Sequence, residues 1–494
     1  MDRRFTLLLA LLMLSTKANA SVHGRGIKRN DSESKQSGRK KKRQTFKTYH
    51  RGEILNLGTD KSALYARLKL IREAKSEILY STFEFHHDSV GLMVLAELQR
   101  AAKRGVKVTL LLDDYGSSLS TSRLTRHLTF SLRNGLSIPP EYFEILLNSK
   151  VNIQAYNTVF KKEFPPIDPQ SLKRMHGKLL IVDGETLLIG ARNTGESYFG
   201  VEKTGVFQYI NNEAIVKGGV VKESKNYFDA LIAGQHVESI GPEKVAIEKL
   251  ANAQVRLNRI AKVTSRFLER NKAEWQKEKS DRPKTLRFLH DDPNKLDTSS
   301  GMKHEVYDLL ARAKNEIVIY AAFLVPTEEM LNALNKATSD GVQVIIYAND
   351  VSVLRQPRVK MGLDNRLSVL GLESQLEALS KAGITLYLNT QKSPATKVKD
   401  VNKAIHLKGM FVDGRYSHIG SFNPDPRSED SNHEVVLELD SVSFAKKQLK
   451  YTEHLEKHSI LLIDRGEFKG PQRFMNAKKA AGVVMKAVGL YDQL

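Results

Sequence analysis

The chain has 494 residues, 41% of them hydrophobic, enough for two or three domains with substantial cores. It contains no cysteine, which excludes disulfides, a thiolate nucleophile, thiolate-bound metal and a lipid-modified cysteine anchor. The formal net charge of +21 points to a polyanionic partner, an anionic membrane surface or nucleic acid, without choosing between them.

The chain opens with a secretory pattern: Arg3 and Arg4, an apolar run from Phe5 to Leu14, and the small-residue site Ala18-Asn19-Ala20. The apolar run is too short to span a bilayer comfortably. This predicts a signal peptide over 1–20 and an exported product, periplasmic or secreted and peripheral to the membrane. Residues 21–50 read as a basic disordered tail that carries Arg39-Lys40-Lys41-Lys42-Arg43. It serves as a solvated linker or as an electrostatic tether.

A first domain is expected over 51–241. LYARLKLIREA has a helical pattern, EILYSTF that of a strand, VGLMVLAELQRAAKRG that of a helix stopping at Gly105, and VKVTLLL that of a strand. Asp113-Asp114 close that strand, where α/β sites often lie; they either line a pocket or, the preferred reading, are solvated. His86-His87-Asp88 and, later, His290-Asp291-Asp292 lack a recognisable zinc spacing, so no metal is expected. Residues 242–286, charged and helix-favouring with the single Trp275, are expected to bridge to a second domain over 287–443. There the same order returns: HEVYDLLARA, NEIVIYAAF, EEMLNALNKATSDG, VQVIIYA. Ala74-Lys75-x-Glu77 answers Ala313-Lys314-x-Glu316, so the chain is a duplication with a period of about 235 residues. Alternating strands and helices imply an α/β architecture with sheets covered on both faces. Residues 444–494 are expected to form a C-terminal helical extension.

Each repeat carries one motif. RMHGKLLIVDGETLLIGARNTGESYFG holds His176, Lys178, Asp183, Gly190 and Asn193; IHLKGMFVDGRYSHIGSFNPDPRS holds His406, Lys408, Asp413, Gly420 and Asn423. In a strand, residues two apart share a face, so His and Lys project together. Asp-Gly between apolar runs predicts a tight hairpin, whose folding returns each Asn to a place roughly opposite its His. Lysine supplies positive charge, the Asn amide neutral donors, and His a nucleophile, acid or base near neutral pH. That set suits a phosphodiester. Asp183 and Asp413, at turns, are expected to be structural. Glu213 after Asn211-Asn212, and Glu434 after Asn432-His433, each open an apolar strand and are candidates to orient a His ring. Two half-sites imply one active site on a pseudo-twofold axis between the domains.

The paired motifs resemble those of the phospholipase D superfamily. RMHGK, GARNTGESYFG and GSFNPDPRS with Glu434 resemble the bacterial cardiolipin synthase C type, over about Leu55 to Leu439. The resemblance implies a duplicated phospholipase D fold: two mixed β-sheet domains flanked by helices, with the active site at their pseudo-twofold interface. It implies a phosphodiesterase acting on phospholipids by hydrolysis or phosphatidyl transfer, without metal or other cofactor. One His, by resemblance His176, forms a phosphohistidine, and the other, His406, protonates the leaving alcohol. Lys178, Lys408, Asn193, Asn423 and Ser421 would hold the non-bridging oxygens. Ala191 stands where Ser421 is in the second copy, with Arg192 beside it, so the hydroxyl contact comes from one side only. Ser421 and Arg192 are therefore the expected substrate-binding residues. The expected partners are a phospholipid substrate and an anionic membrane surface, with nucleic acid the alternative substrate of a secreted nuclease of the same superfamily. The chain is expected to be a monomer.

Overall fold

The computed structural model describes residues 48–117, 138–158, 173–201, 208–295, 301–350, 353, 363–390 and 403–470. The expected leader, most of the basic tail and residues 471–494 lie outside them.

The first half runs β1 (Gly52–Asn56), α1 (Asp60–Glu73), β2 (Glu77–Thr82), α2 (Ser89–Lys103), β3 (Lys107–Asp113), α3 (Pro140–Asn148), β4 (Asn152–Tyr156), β5 (Leu179–Val182), β6 (Thr186–Gly190), β7 (Gln208–Ile210), β8 (Glu213–Gly218), α4 (Gly219–Ala233) and β9 (Val237–Ser239). Helix α5 (Ile247–Trp275) follows. The second half runs β10 (Thr285–His290), α6 (Met302–Leu310), β11 (Glu316–Tyr320), α7 (Glu328–Ser339), β12 (Gln343–Asn349), α8 (Leu363–Lys381), β13 (Thr385–Asn389), β14 (Lys403–Ile405), β15 (Gly409–Val412), β16 (Tyr416–Gly420), α9 (Pro426–Asp430), β17 (Val435–Asp440), α10 (Val442–Lys457), β18 (Ser459–Asp464) and β19 (Glu467–Phe468).

The sheets have one topology. The first is ordered β1-β8-β6-β5-β2-β3-β4-β9 and the second β10-β17-β16-β15-β11-β12-β13-β18, with β19 added at the edge. Both are mixed: β2-β3-β4 and β11-β12-β13 are parallel, and the motif hairpins join them antiparallel through β5 and β15. The near-continuous apolar strands reflect burial on both faces. In β5, Leu180 and Val182 face the outer helices while Leu179 and Ile181 face inward. In β15, Met410 and Val412 face outward and Phe411 inward. The inward residues of both sheets merge into one central core, joined by Tyr227 and Phe228 of α4 and Phe444 of α10. Each such side chain contributes about 1.5–3 kcal/mol, so the halves form one body rather than two tethered ones.

Two segments differ from expectation. Helix α5 buries Ala253, Leu257, Ala261, Thr264 and Leu268 at helical spacing against the outer helices of the first half, and Trp275 packs on Tyr65 at 5.2 Å between ring centroids. It is a layer of that half before it is a connection. Directly after α10 the described residues are strand: Ile460 to Ile463 are four consecutive apolar residues, too short for a helical stripe, and they extend the second sheet as β18. Arg465-Gly466, both at positive φ, then turn it into β19.

Candidate active site

The motif hairpins are built as their letters suggest. Asp183 and Gly184 have φ of 55° and 66°, and Asp413 and Gly414 of 53° and 59°, the left-handed pair of a type I′ turn. The Asp183 carboxylate accepts from the backbone N–H groups of Ser76 (2.7 Å), Glu77 (3.0 Å) and Lys75. Asp413 does the same with Asn315 (2.8 Å), Glu316 (3.0 Å) and Lys314. Partial burial disfavours their charge, but these N–H groups outweigh it and hold both carboxyls below their ordinary value. Both tie a hairpin turn to the start of its central strand. At the opposite end, a Cβ on Gly190 would lie 2.5 Å from Asn212 O, and one on Gly420 would lie 2.1 Å from Val435 O, so the motif glycines permit close strand approach.

Each motif histidine is placed by the other half. His176 N–H donates to His433 O (3.0 Å), and His433 N–H donates back to Arg174 O (2.8 Å). Strand β14 pairs with β7, and His406 N–H donates to Ile210 O (2.8 Å). Asp113 is not solvated: it is fully buried and accepts from Met175 N–H (2.9 Å) and Arg174 Nη1 (3.3 Å). Asn349, at the matching end of β12, accepts from Ile405 N–H (2.8 Å) and donates to Ile405 O (2.8 Å). A polar residue ending the same strand of each sheet thus anchors the run into each histidine.

The two imidazoles are held differently. His176 Nδ1 lies 2.9 and 3.0 Å from the two carboxylate oxygens of Glu434 in the second half. His406 Nδ1 lies 2.8 Å from Asn211 Oδ1. Glu213 does not reach His406. It forms a fully buried ion pair with Arg67, which also donates to Tyr80 Oη. The register that matches Ala74 to Ala313 puts Val306 where Arg67 stands, so the second half has no such cation and Glu434 is left for the histidine.

Ser421 and Arg192 are both buried and make contacts within the protein. Ser421 is fully buried; its Oγ accepts from Val435 N–H (2.9 Å) and donates to Val435 O (3.3 Å), while Ser428 Oγ donates to Glu434, the acid that orients His176 (2.8 Å). Arg192, 1% exposed, binds Asp60 (2.5 Å) and Tyr198 O (3.1 Å) beneath the site. Asn193 donates to Tyr198 Oη (3.0 Å) and accepts from Glu84 N–H (3.3 Å), while Asn423 N–H donates to Ser428 Oγ (3.1 Å).

Lys178 and Lys408 are buried, each donating to the backbone carbonyl of its own motif histidine, Lys408 at 3.2 Å. Burial pushes Lys178 down to about 7, against the pull of Glu434 and Glu84. Burial and the Lys178 charge push Lys408 well down. Burial brings His176 to about 4 despite Glu434, with Lys178 and Lys408 adding to the fall. His406 is lowered well below its ordinary value by burial and by Lys408, Lys178 and His176. The charges of both halves therefore act on one another across the interface. Around them stand Phe83, 5.2 Å from the His176 ring, and Tyr198 and Tyr209, 5.1 and 5.0 Å from the His406 ring. Glu84, Tyr198, Tyr209 and Phe83 were not singled out from sequence, because residues flanking a duplicated motif without themselves being duplicated give no periodic signal; Asn211 was read only as part of the repeated run ahead of Glu213. Among the described residues no cluster of three or more His, Asp or Glu could hold a metal, and no helix is long and apolar enough to cross a membrane.

Two sheets of one topology, each giving a His and a Lys to one interface, define a duplicated phospholipase D fold. The chain belongs to the family described as cardiolipin synthase, PLD-like domain, whose model matches residues 68–232 and 306–456, together more than half of it. It is 25% identical over 427 residues to cardiolipin synthase C of Escherichia coli (strain K12), covering 78% of this chain and 80% of that protein. It is 26% identical over 434 residues to an uncharacterized protein of Helicobacter pylori (strain 26695), covering 82% of this chain and 79% of that one. The crystal structure of phosphatidylserine synthase from Haemophilus influenzae Rd KW20 superposes with a TM-score of 0.62 at 16% identity, over 91% of this chain and 98% of that one, and shows the same fold.

Proposed function

We propose that the protein is a phospholipase D-type phosphatidyltransferase that acts on phospholipids through a phosphohistidine on His176. One observation carries this reading: two imidazoles, each fixed at Nδ1, meet two buried lysines at the junction of the halves. Nδ1 of His176 is occupied by Glu434, so Nε2 is the atom that attacks phosphorus. A carboxylate behind the ring stabilises the charge that develops on it. The bond from phosphorus to the headgroup oxygen breaks, and His406 Nε2–H delivers the proton to that oxygen. An incoming alcohol or water then reverses the path, losing its proton to His406 as the Nε2–P bond breaks. The bound phosphodiester brings negative charge between Lys178 and Lys408, raising their pKa and that of His406. The proton needed for the first step thus arrives with substrate. The names of the cardiolipin synthase relatives favour transfer to a lipid alcohol over hydrolysis.

The charge of +21 supports an anionic lipid surface as the place of work. The Arg3-Arg4, Phe5–Leu14 and Ala18-Asn19-Ala20 pattern supports export, which would leave Ser21 as the first residue of the mature chain. The decisive assay offers the purified protein phosphatidylglycerol vesicles, phosphatidylethanolamine vesicles and single-stranded DNA, each with chelator present. A lipid product of transfer or hydrolysis is expected. DNA cleavage with no lipid product would overturn the reading in favour of a nuclease.

A further inference from the structure

The acids at the matching positions of the two halves have different company. Glu434 meets neutral donors besides His176: Ser428 Oγ donates to its Oε1 at 2.8 Å and Asn432 Nδ2 at 3.3 Å. Glu213 holds Arg67, and its Oε2 has no hydrogen-bond partner among the described residues. Asn211 matches Asn432, yet it bonds the His406 Nδ1 that Glu213 does not reach. A second cation stands nearby. The Arg67 and Arg192 guanidiniums lie 5.2 and 5.6 Å from the Phe199 ring centre, and both act on the Glu213 charge. The motif register puts Phe422 where Arg192 is, as Val306 stands for Arg67. Both of these lie in the apolar core of the second half. Two buried arginines in one half thus correspond to two buried apolar side chains in the other.

A buried carboxylate needs a cation or hydrogen-bond donors, and a guanidinium within reach outcompetes a neutral imidazole for it. In the second half no arginine stands at the matching positions, and the acid holds a histidine across the interface. In the first half Arg67 takes the acid. Arg192 then adds positive charge on the His406 side. The ring is lowered by burial, Lys408, Lys178, His176 and Arg192, in that order. An imidazole that attacks phosphorus becomes positively charged, so it gains from a carboxylate at Nδ1 and loses from a cation nearby. We propose that Arg67 and Arg192 assign the roles of the two histidines: by holding Glu213 and keeping positive charge near His406, they bar His406 from nucleophilic attack and leave that step to His176. They act through Glu213 and His406, as positioning residues.

The inference deepens the phosphohistidine reading above and rests on it, and its test separates the two. Full-length proteins are given bis(4-nitrophenyl) phosphate; the nitrophenolate burst and the mass and position of any adduct are read. His406→Asn, with its adduct expected on residue 176, carries the underlying reading. His176→Asn is expected to give no adduct. Adding Arg67→Val and Arg192→Phe to it, the side chains of the second half, frees Glu213 for His406. His406 Nε2 then bonds to phosphorus as the bond to the 4-nitrophenol oxygen breaks, and nitrophenolate leaves with the electron pair. The burst rate should rise by about tenfold or more over His176→Asn, with the adduct on residue 406, because a carboxylate behind an imidazole is worth at least that. Misfolding cannot create this adduct. Glu213→Gln in the same protein should remove it, and Arg67→Lys alone in His176→Asn, which keeps the charge, should not produce it. If the double arginine change prevents cooperative melting, Arg67→Met in His176→Asn is read in the same way. A further measurement needs no arginine change: in the wild-type protein the Nδ1 proton of His176 should resonate well downfield of that of His406, as a carboxylate-bonded imidazole does. Equal shifts, or an adduct on residue 406 with both arginines in place, would overturn the inference. An adduct on residue 176 of His406→Asn with none in the folded arginine variants would overturn it and leave the phosphohistidine reading standing. No adduct in His406→Asn would overturn that reading and this inference with it.

Discussion

His176 of the first half and Glu434 of the second are joined through Nδ1 and Oε1 at 2.9 Å, whereas the sequence-equivalent Glu213 is spent on Arg67. Two glutamates at one motif position therefore carry different duties. Glu434→Gln should lower kcat by roughly 10²–10⁴, as loss of an orienting carboxylate behind a catalytic histidine does. Glu213→Gln should chiefly destabilise, by about 3–5 kcal/mol, because it leaves the Arg67 guanidinium buried without a counter-charge. Thermal melting and kcat per folded molecule separate the two. A Glu213→Gln protein of normal melting temperature with a kcat loss matching Glu434→Gln would contradict the division.

Asp183 and Asp413 should behave as architectural residues. Asn tolerates the left-handed turn conformation, so Asp183→Asn and Asp413→Asn test the charge without adding backbone strain. Each should cost about 1.5–3 kcal/mol, the range for hydrogen bonds to a charged group. Both folded pKa values lie below the unfolded value, so this stabilisation is complete above the unfolded pKa and is lost as pH falls through the folded one. Denaturant titrations at neutral pH and at the acid end should show the gap between wild type and variant closing in acid. A gap of equal size throughout would assign the effect to something other than the carboxylate charge.

Much of this arrangement was legible before any coordinates. The order of helices and strands, the Asp-Gly turns and the twin His and Lys positions all arise from local patterns that the chain spells twice, and duplication turns a weak motif into a strong one. What was not legible depends on where the copies have diverged. That Arg67 captures Glu213 follows from one residue, matched by Val306, on a helix more than a hundred positions away. Ser421 reads as a substrate contact by position, but its hydroxyl is engaged by the Val435 backbone, and it is Ser428 that donates to Glu434. Asp113 reads as a solvated strand end because the groups that engage its carboxylate, Met175 N–H and the Arg174 guanidinium, lie far along the chain. Helix α5 reads as a bridge because its apolar stripe is narrow and its other faces are charged; packing on the first half needs only that stripe.

The lowered pKa of Lys178, about 7, gives anion binding a pH dependence of definite sign. Its ammonium form prevails below pH 7 and is lost above it, so affinity for an oxyanion such as tungstate should fall as pH rises through 7. Binding above pH 7 should be accompanied by proton uptake, since the bound anion raises the pKa of Lys178 and of Lys408. Calorimetry in buffers of different ionisation enthalpy measures that uptake. Lys178→Met should weaken binding and flatten its pH dependence. Proton release on binding, or an unchanged profile in the variant, would contradict the assignment.

The division of labour between the histidines can be read from what accumulates when one is missing. 4-Nitrophenolate is a stable leaving group and needs no acid, so a protein lacking His406 can still complete the first displacement on bis(4-nitrophenyl) phosphate. The second displacement requires removal of a proton from water or alcohol, which on this reading is the task of His406. His406→Asn should therefore give one burst of nitrophenolate and a covalent adduct visible in the intact mass, with the phosphoryl group on residue 176. The adduct should resist alkali and be released by acid, because protonating the ring nitrogen makes imidazole a good leaving group. His176→Asn should give neither burst nor adduct, since the other motif imidazole, His406, has its Nδ1 on the Asn211 amide oxygen rather than on a carboxylate. An adduct on residue 406 of His176→Asn, with none on His406→Asn, would exchange the two roles and place Asn211 rather than Glu434 behind the nucleophile.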